Sequence, residues 1–311
     1  MGKAIYGWVL AVCCVLPTAH AQSTVLYQTS FDAAEGYDRT RDLAGQRGWL
    51  IDGTGGNGLL DEWFPGFGLQ AYIGFTPPTE GAVTTVWHPV GYNPPSSSNQ
   101  IVRFSVAMEI VQSTAGGDDD FRWSVYNSAG NRLFGISFET RTGEVWYQNE
   151  DLQFRSTDWT FAFGGTYDFE IWMDIARNSW TARLNDIVLA NAQPISTTNT
   201  ARNLGDVDAV WFINNTAGVG NNFMVFDNYR VTSENLPAIP AFLEALGRTT
   251  EGFYRFYVHG QKGVRYGIEY STDLRNWTPH GEFQNDVGTF LFEDNETGTD
   301  RHRFYKVREI R

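Results

Sequence analysis

Cysteine is almost missing from this 311-residue sequence, and its two copies, Cys13 and Cys14, both lie near the beginning. Residues 1–21 combine a lysine, an apolar run and a small-residue end at Ala19-His20-Ala21, which is the pattern of a secretory signal peptide. Cleavage after this segment would leave a protein without cysteine. The sequence therefore predicts a secreted protein, periplasmic, extracellular or at the cell surface. It excludes disulfides, thiol nucleophiles and thiolate metal sites from that protein.

Lysine is nearly as scarce, at three positions, and acidic residues outnumber basic ones. Residues 22–244 hold 12 basic and 26 acidic residues, a net charge of −14, whereas residues 245–311 hold ten of each. A negative field of this size repels phosphate backbones and anionic lipids, and the apolar run near the beginning is shorter than a membrane span. We therefore expect no nucleic-acid partner and no stable membrane insertion. Neutral glycans and cations remain compatible partners.

Familiar catalytic motifs are absent too. The sequence contains no Gly-x-Ser-x-Gly elbow, no His-Glu-x-x-His and no Gly-x-x-x-x-Gly-Lys loop. Four histidines follow residue 21, and they are scattered, with three of them after residue 250. We therefore predict no catalytic residues and favour a non-catalytic role, although the sequence alone does not decide whether an activity exists.

What the sequence does contain is a recurring strand pattern. Short runs of alternating, β-branched and aromatic residues, from Val25–Phe31 to Asn222–Val231, are separated by clusters of Gly, Asn, Asp and Pro. This pattern predicts an all-β protein with one large β-sandwich over residues 22–233. Residues 52–82 differ, because eight glycines interrupt a string of aromatics, and we predict long loops there.

The end of the chain predicts a second, smaller domain. Residues 234–249 include Pro237 and Pro240 and are interpreted as a linker with a helical turn at Ala241–Leu246. Strand patterns resume afterwards, so residues 250–311 are predicted to form a small β-sandwich-like domain.

Two pairs of motifs resemble known families. Ser30-Phe31-Asp32 with Glu35, and Phe226–Val231 near the end of the large domain, resemble the concanavalin A-like lectin/glucanase jelly roll, which includes laminin G-like modules. Ser271–Trp277 and Phe304–Arg308 look like a repeat at the C-termini of exported bacterial proteins of verrucomicrobial and planctomycete type. The first resemblance implies a jelly roll whose first and last strands pair. The second implies a surface or secreted accessory protein.

The jelly-roll resemblance also implies a metal site. Related jelly rolls often carry a structural calcium, an ion that prefers oxygen ligands, and pairing of the first and last strands would bring acidic segments together. We therefore expect a calcium site at Asp32, Glu35 and Asp227. A solvated turn is the alternative for these residues, and it is our interpretation of Asp118-Asp119-Asp120.

The ligand-binding prediction rests on aromatic residues in the glycine-rich segment. Sugar rings stack on exposed aromatic rings while nearby polar groups bind the hydroxyls. We expect strand tryptophans to be core, and the predicted core set is Trp123, Trp172, Trp180 and Trp211. The predicted ligand-binding residues are Asp61, Trp63, Phe64 and Phe67, with Tyr72 and Tyr92 as extensions.

Together these features predict a secreted, non-catalytic, lectin-like protein that recognises a neutral polysaccharide or a cell-surface glycan. A surface or adhesion protein that binds another protein is the first alternative. A divergent glycoside hydrolase is less favoured, because the glucanases of the resembled family place Glu-x-Asp-x-Glu on one strand. The nearest carboxylates here, Glu170 with Asp174 and Glu139 with Glu144, have other spacings.

Overall fold

Alternation of apolar and polar residues makes most of the described chain β-strand. The structure, a computed structural model, describes residues 23–95, 100–235, 241–261, 264–296 and 302–310, so the predicted signal peptide lies outside the described residues. The chain divides into two compact units between residues 236 and 237. In the described part of the first unit the strands, in chain order, are β1 Thr24–Thr29, β2 Leu50–Asp52, β3 Asn57–Asp61, β4 Leu69–Gly74, β5 Val83–Trp87, β6 Ile101–Val111, β7 Asp120–Tyr126, β8 Arg132–Glu139, β9 Glu144–Gln148, β10 Phe154–Thr160, β11 Tyr167–Asp174, β12 Ser179–Leu184, β13 Ile187–Pro194, β14 Asp206–Phe212 and β15 Phe223–Glu234.

These strands form two antiparallel sheets. In the first sheet, seven described strands follow the order β13-β12-β11-β6-β15-β4-β3, and an eighth, β1, pairs with one end of β15. In the second, seven described strands follow the order β10-β9-β8-β7-β14-β5-β2. One face of each sheet contributes to a single apolar core, which gives the predicted jelly-roll β-sandwich.

Three of the four predicted core tryptophans are in that core. Trp123, Trp180 and Trp211 are completely or almost completely buried, as predicted. The prediction for Trp172 is wrong, because its neighbours Ile171 and Met173 face the core and alternation turns Trp172 outward. Its side chain is 39% exposed, and the Arg103 guanidinium lies 4.2 Å from its ring centroid.

The prediction of long loops over residues 52–82 is also wrong, since β3 and β4 lie there and pair with each other. The glycines allow close packing. A Cβ atom on Gly58 would lie 2.8 Å from the Tyr72 ring, and one on Gly74 would lie 2.6 Å from the Asn222 carbonyl oxygen. Glycine composition therefore marks tight contact between strands here, as well as turns.

The second unit contains two three-stranded sheets in its described part, with the orders β16-β17-β20 and β19-β18-β21. The strands are β16 Phe242–Arg248, β17 Tyr254–His259, β18 Val264–Ser271, β19 Thr278–Asn285, β20 Thr289–Asp294 and β21 Phe304–Ile310. Phe256, Val258 and Ile268 form a small buried core between them. The predicted helical turn at Ala241–Leu246 is wrong. Residues 242–248 form β16, and Leu243 packs on this core, so they belong to the second unit and not to a linker.

A buried ion cluster supplements that small core. The Asp294 side chain is fully buried and lies 2.9 Å from His280 Nε2 and 2.7 Å from Arg303 Nη1. The Tyr305 hydroxyl donates a 2.6 Å hydrogen bond to the same carboxylate. Burial raises the pKa of Asp294. The hydrogen bonds from Tyr305, the Glu296 backbone and Arg303 together lower this pKa by a larger amount, so the net shift is downward.

Candidate functional site

The first and last strands of the large unit pair, as the resemblance implied. Thr29 at the end of β1 lies opposite Tyr229 of β15. The short 3-10 helix Ala33–Glu35 follows β1. This pairing brings the predicted metal residues Asp32, Glu35 and Asp227 near one another, close enough for the charges of the first two to act on the third.

The three carboxylates of this acidic cluster have protein donors already. Asp32 accepts a 3.0 Å hydrogen bond from the Ser30 hydroxyl. Glu35 accepts from the same hydroxyl at 2.9 Å and from the Thr29 hydroxyl at 2.5 Å. Asp227 is buried and accepts a 2.6 Å bond from the Asn228 backbone. As they stand, no three His, Cys, Asp or Glu residues in the described ranges are arranged to hold a metal ion.

Asp227 is nevertheless in an environment that disfavours its charge. Burial raises its pKa to about 6, against hydrogen bonds from Asn228 and Gln70, and the charges of Asp32 and Glu35 add to the rise. A bound cation would reverse the effect of those two charges.

Gln70 connects the acidic cluster to the predicted ligand-binding loop. It is fully buried on β4, and its Nε2 donates to Asp227 Oδ2 at 3.4 Å. Its Oε1 accepts from the backbone N–H groups of Trp63 and Phe64 at 2.8 and 3.3 Å. One amide thus fixes the position of the loop relative to the acidic cluster.

The loop itself, residues 62–68, is closed by its own hydrogen bonds. The Glu62 backbone donates to the Gly68 carbonyl at 2.7 Å, and the Glu62 carboxylate accepts from the Gly66 backbone at 2.6 Å. Held in this way, Trp63 and Phe67 are 37% and 56% exposed. The prediction that Phe64 contacts a ligand is wrong, because the loop turns this ring inward and leaves it 7% exposed.

Trp63 belongs to a larger group of aromatic rings at the β3–β4 edge of the eight-stranded sheet. Phe223 at the start of β15 is the centre, and the ring centroids of Trp63, Phe75 and Tyr72 lie 5.4, 5.9 and 6.2 Å from it. We call these four residues together with Phe67 the aromatic edge. Sequence reasoning missed Phe75 and Phe223. The alternation along β15 was the available signal, since Met224 and Phe226 face the core and Phe223 faces outward.

The polar members of the predicted site lie beside the aromatic edge. Asp61 ends β3 and forms a 2.6 Å ion pair with Arg39, and both side chains are more than half exposed. A shallow recess next to this pair is lined also by Asp32, Tyr37, Asp38 and Gly68. The recess therefore joins the acidic cluster to the loop that carries Trp63 and Phe67.

Tyr92 lies elsewhere, and its predicted place in the site is wrong. Its backbone forms an isolated bridge with Leu204, just before β14 of the seven-stranded sheet, and its ring packs against the core. The solvated turn predicted at Asp118–Asp120 is likewise wrong for Asp119, which is buried. Its carboxylate accepts from the Asn214 and Gly220 backbones at 2.8 and 2.9 Å, so it holds neighbouring loops together.

Comparisons with known proteins give structural similarity only. No protein-family model and no curated protein matches this sequence. Among solved structures, a sialidase matches 67% of this chain and 18% of its own length, with 10% identity and a TM-score of 0.47. A cellulose-induced protein, Cip1, matches 66% of this chain and 96% of its own, with 13% identity and a TM-score of 0.45.

A third similar structure is domain 4 of an extracellular arabinanase from Geobacillus stearothermophilus, in complex with arabinotriose. It covers 70% of this chain and 94% of its own, with 16% identity and a TM-score of 0.39. The similar structures include lectins and carbohydrate-binding modules. At these identities and scores the similarity does not identify a ligand.

Among the residues that the structure describes, no helix is long and apolar enough to cross a membrane.

Proposed function

We propose that this is a secreted, non-catalytic carbohydrate-binding protein that holds a neutral polysaccharide or cell-surface glycan at the aromatic edge. The observation that carries the proposal is the exposure of Trp63 and Phe67 on a loop fixed by buried Gln70. A hydrogen-bonded loop loses little conformational freedom when a ligand binds, so the exposed rings form a prepared stacking surface.

The polar groups next to the rings suit the same ligand. Asp61 and Arg39 are exposed at the rim of the recess, where carboxylate and guanidinium groups can accept from and donate to sugar hydroxyls. Combining an apolar wall with a few polar groups is typical of carbohydrate and small-molecule sites. A flat protein-binding surface would not need a recess with this polar rim.

The test is a glycan array followed by calorimetry with Trp63→Ala. We expect the wild type to bind a neutral oligosaccharide and the variant to bind it at least about tenfold more weakly. Trp172→Ala is the matched control, because Trp172 is exposed to a similar extent on the outward face of the same sheet. Equal weakening by both variants, or unchanged binding by Trp63→Ala, would contradict the proposed site.

We also propose a structural calcium ion at Asp32, Glu35 and Asp227. The proposal is supported by the nearness of the three carboxylates beside β1 and β15 and by the raised pKa of Asp227. These residues would supply oxygen ligands, and the cation would compensate their mutual repulsion. Glu35 would have to turn from its Thr29 and Ser30 donors toward the ion.

Calcium binding is tested by thermal unfolding with about 1 mM calcium or a chelator. We expect calcium to raise the melting temperature of the large unit by about 2–4 °C. The same addition should have no effect on Glu35→Gln, which keeps the shape of the side chain and removes its charge. A wild-type melting temperature that ignores calcium would refute the metal site without affecting the proposed glycan site.

A further inference from the structure

The outward face of the seven-stranded sheet carries a group of charged and polar residues. Along β7, Phe121, Trp123 and Val125 face the core, so the residues between them face outward, and the same alternation holds in β14. We call this group the polar face. It consists of Arg122, Tyr126, Arg132, Gln148, Asp206 and Asp208.

Several of these side chains are buried, which is costly for charged groups. Arg122 and Asp208 are 8% and 6% exposed. The Arg122 guanidinium lies 4.3 Å from the Phe212 ring centroid, and its Nε donates to the Ser124 hydroxyl at 2.7 Å. An apolar residue at these positions would avoid the desolvation cost that a buried charged side chain carries, and so would stabilise the sheet more than Arg122 or Asp208 does.

The polar face also contains hydrogen-bonding groups with no partner. Oδ1 of Asp208 and Nε of Arg132 are buried, and neither has a hydrogen-bond partner among the described residues. Arg132 uses Nη2 instead, which donates to Gln148 Oε1 at 2.5 Å. One acceptor and one donor are therefore left unused within the same cluster.

The two aspartates of β14 act as a pair. Asp206 and Asp208 are two residues apart on the outward face of β14, so their side chains are neighbours. Burial raises the pKa of both carboxyls, and the charge of Asp206 raises that of Asp208 further. Both carboxyls therefore favour the neutral form more than an exposed carboxyl does.

Aromatic side chains border the polar face on both sides. Trp146 on β9 lies opposite Ser137 of β8, which in turn lies opposite Arg122. On the other side, Trp87 ends β5, the neighbour of β14, and both tryptophans are half-buried. Four strand spacings separate β5 from β9, about 19 Å. That distance suits an extended ligand more than a single ring.

We propose that the polar face is a second binding site, for a neutral oligosaccharide that crosses strands β5 to β9. Sugar hydroxyls both donate and accept hydrogen bonds, and so match a surface that offers an unused guanidinium donor on Arg132 and an unused carboxyl acceptor on Asp208. Residues 22–244 carry a net charge of −14, which disfavours an anionic ligand. The site is independent of the aromatic edge, and either one can fail alone.

The test is a glycan array of neutral and acidic oligosaccharides, followed by calorimetry with the best neutral one. We expect Trp146→Ala and Asp208→Asn to weaken its binding at least about tenfold, and Trp172→Ala to leave it unchanged. Each variant is first checked for an unchanged melting temperature, and Arg132→Gln replaces any variant that unfolds. Trp63→Ala should leave the binding that depends on Trp146 and Asp208 unchanged, because the two sites are independent.

Three results would overturn the second site. The first is wild-type affinity in Trp146→Ala and Asp208→Asn, with loss only in Trp63→Ala, which would leave the aromatic edge as the glycan site. The second is binding of acidic oligosaccharides alone. The third is no binding of any neutral oligosaccharide to the wild type, which would overturn both sites.

Discussion

Asp294 in the small unit and Asp208 on the polar face are both buried carboxyls, but their surroundings differ. Asp294 is in contact with His280, Arg303 and Tyr305, and its pKa is lowered. Asp208 has its pKa raised by burial and by Asp206, and one of its oxygens lacks a partner among the described residues. The first carboxylate is therefore compensated and contributes to stability. The second is buried without such compensation, and groups of that kind are concentrated at functional sites.

Replacing Asp294 should have the largest effect. Asp294→Asn removes the carboxylate charge beside Arg303, 6% exposed, and we expect the small unit to lose about 3–5 kcal/mol of unfolding free energy. Hydrogen exchange of the β18 amides measures this locally. Asp286→Asn, an exposed aspartate of the same unit, should stay within about 0.5 kcal/mol. Equal protection in the two variants would show that the cluster does not stabilise the unit.

Acid should have the same effect as that substitution. A carboxyl whose pKa is lower in the folded state contributes stability above its unfolded pKa and loses it as the pH falls through the folded value. We therefore expect the small unit of the wild type to lose stability below about pH 4, and Asp294→Asn to show a smaller acid dependence. Circular dichroism over an acid titration of both proteins checks this. Parallel pH profiles would contradict it.

Asp227 is a third buried carboxyl, and its surroundings are intermediate between those of Asp294 and Asp208, because its side-chain partner Gln70 is a neutral donor. Gln70→Leu removes the partner of Asp227 Oδ2 and of two backbone N–H groups, and should cost about 2–4 kcal/mol. It should also weaken glycan binding, since the loop with Trp63 loses its anchor. Denaturant unfolding and calorimetry measure the two effects. Gln28→Leu, on the exposed side of β1, is the control, and equal stability of the two variants would refute the anchoring role.

Local pattern predicted much of the fold. Alternation identified β6, β7, β11 and β14, and it placed Trp123, Trp180 and Trp211 in the core. The glycine content of residues 52–82 led to the wrong prediction of long loops, because the sequence does not reveal that Gly58 and Gly74 pack against other strands. Trp172 was misplaced because an amphipathic strand has two faces, and apolar character alone does not assign the face.

The sites depended on contacts that are distant in sequence. Pairing of the first and last strands came from the family resemblance, and the inward turn of Phe64 depends on Gln70, six residues later. The polar face was missed altogether. Its residues alternate visibly along β7 and β14, but these strands are about 80 residues apart, and no local pattern shows that they are neighbours.

The central claim is that Asp208 is present for binding and not for stability, and the most direct test is the pH dependence of unfolding for Asp208→Asn. A carboxyl whose pKa is raised by folding contributes stability that is complete below its unfolded pKa and is lost as the pH rises from there through the folded value. We expect Asp208→Asn to be at least as stable as the wild type near neutral pH, and its stability relative to the wild type to increase as the pH rises above about 4. A loss of about 3 kcal/mol or more, comparable to that expected for Asp294→Asn, would make Asp208 a structural residue and contradict the claim.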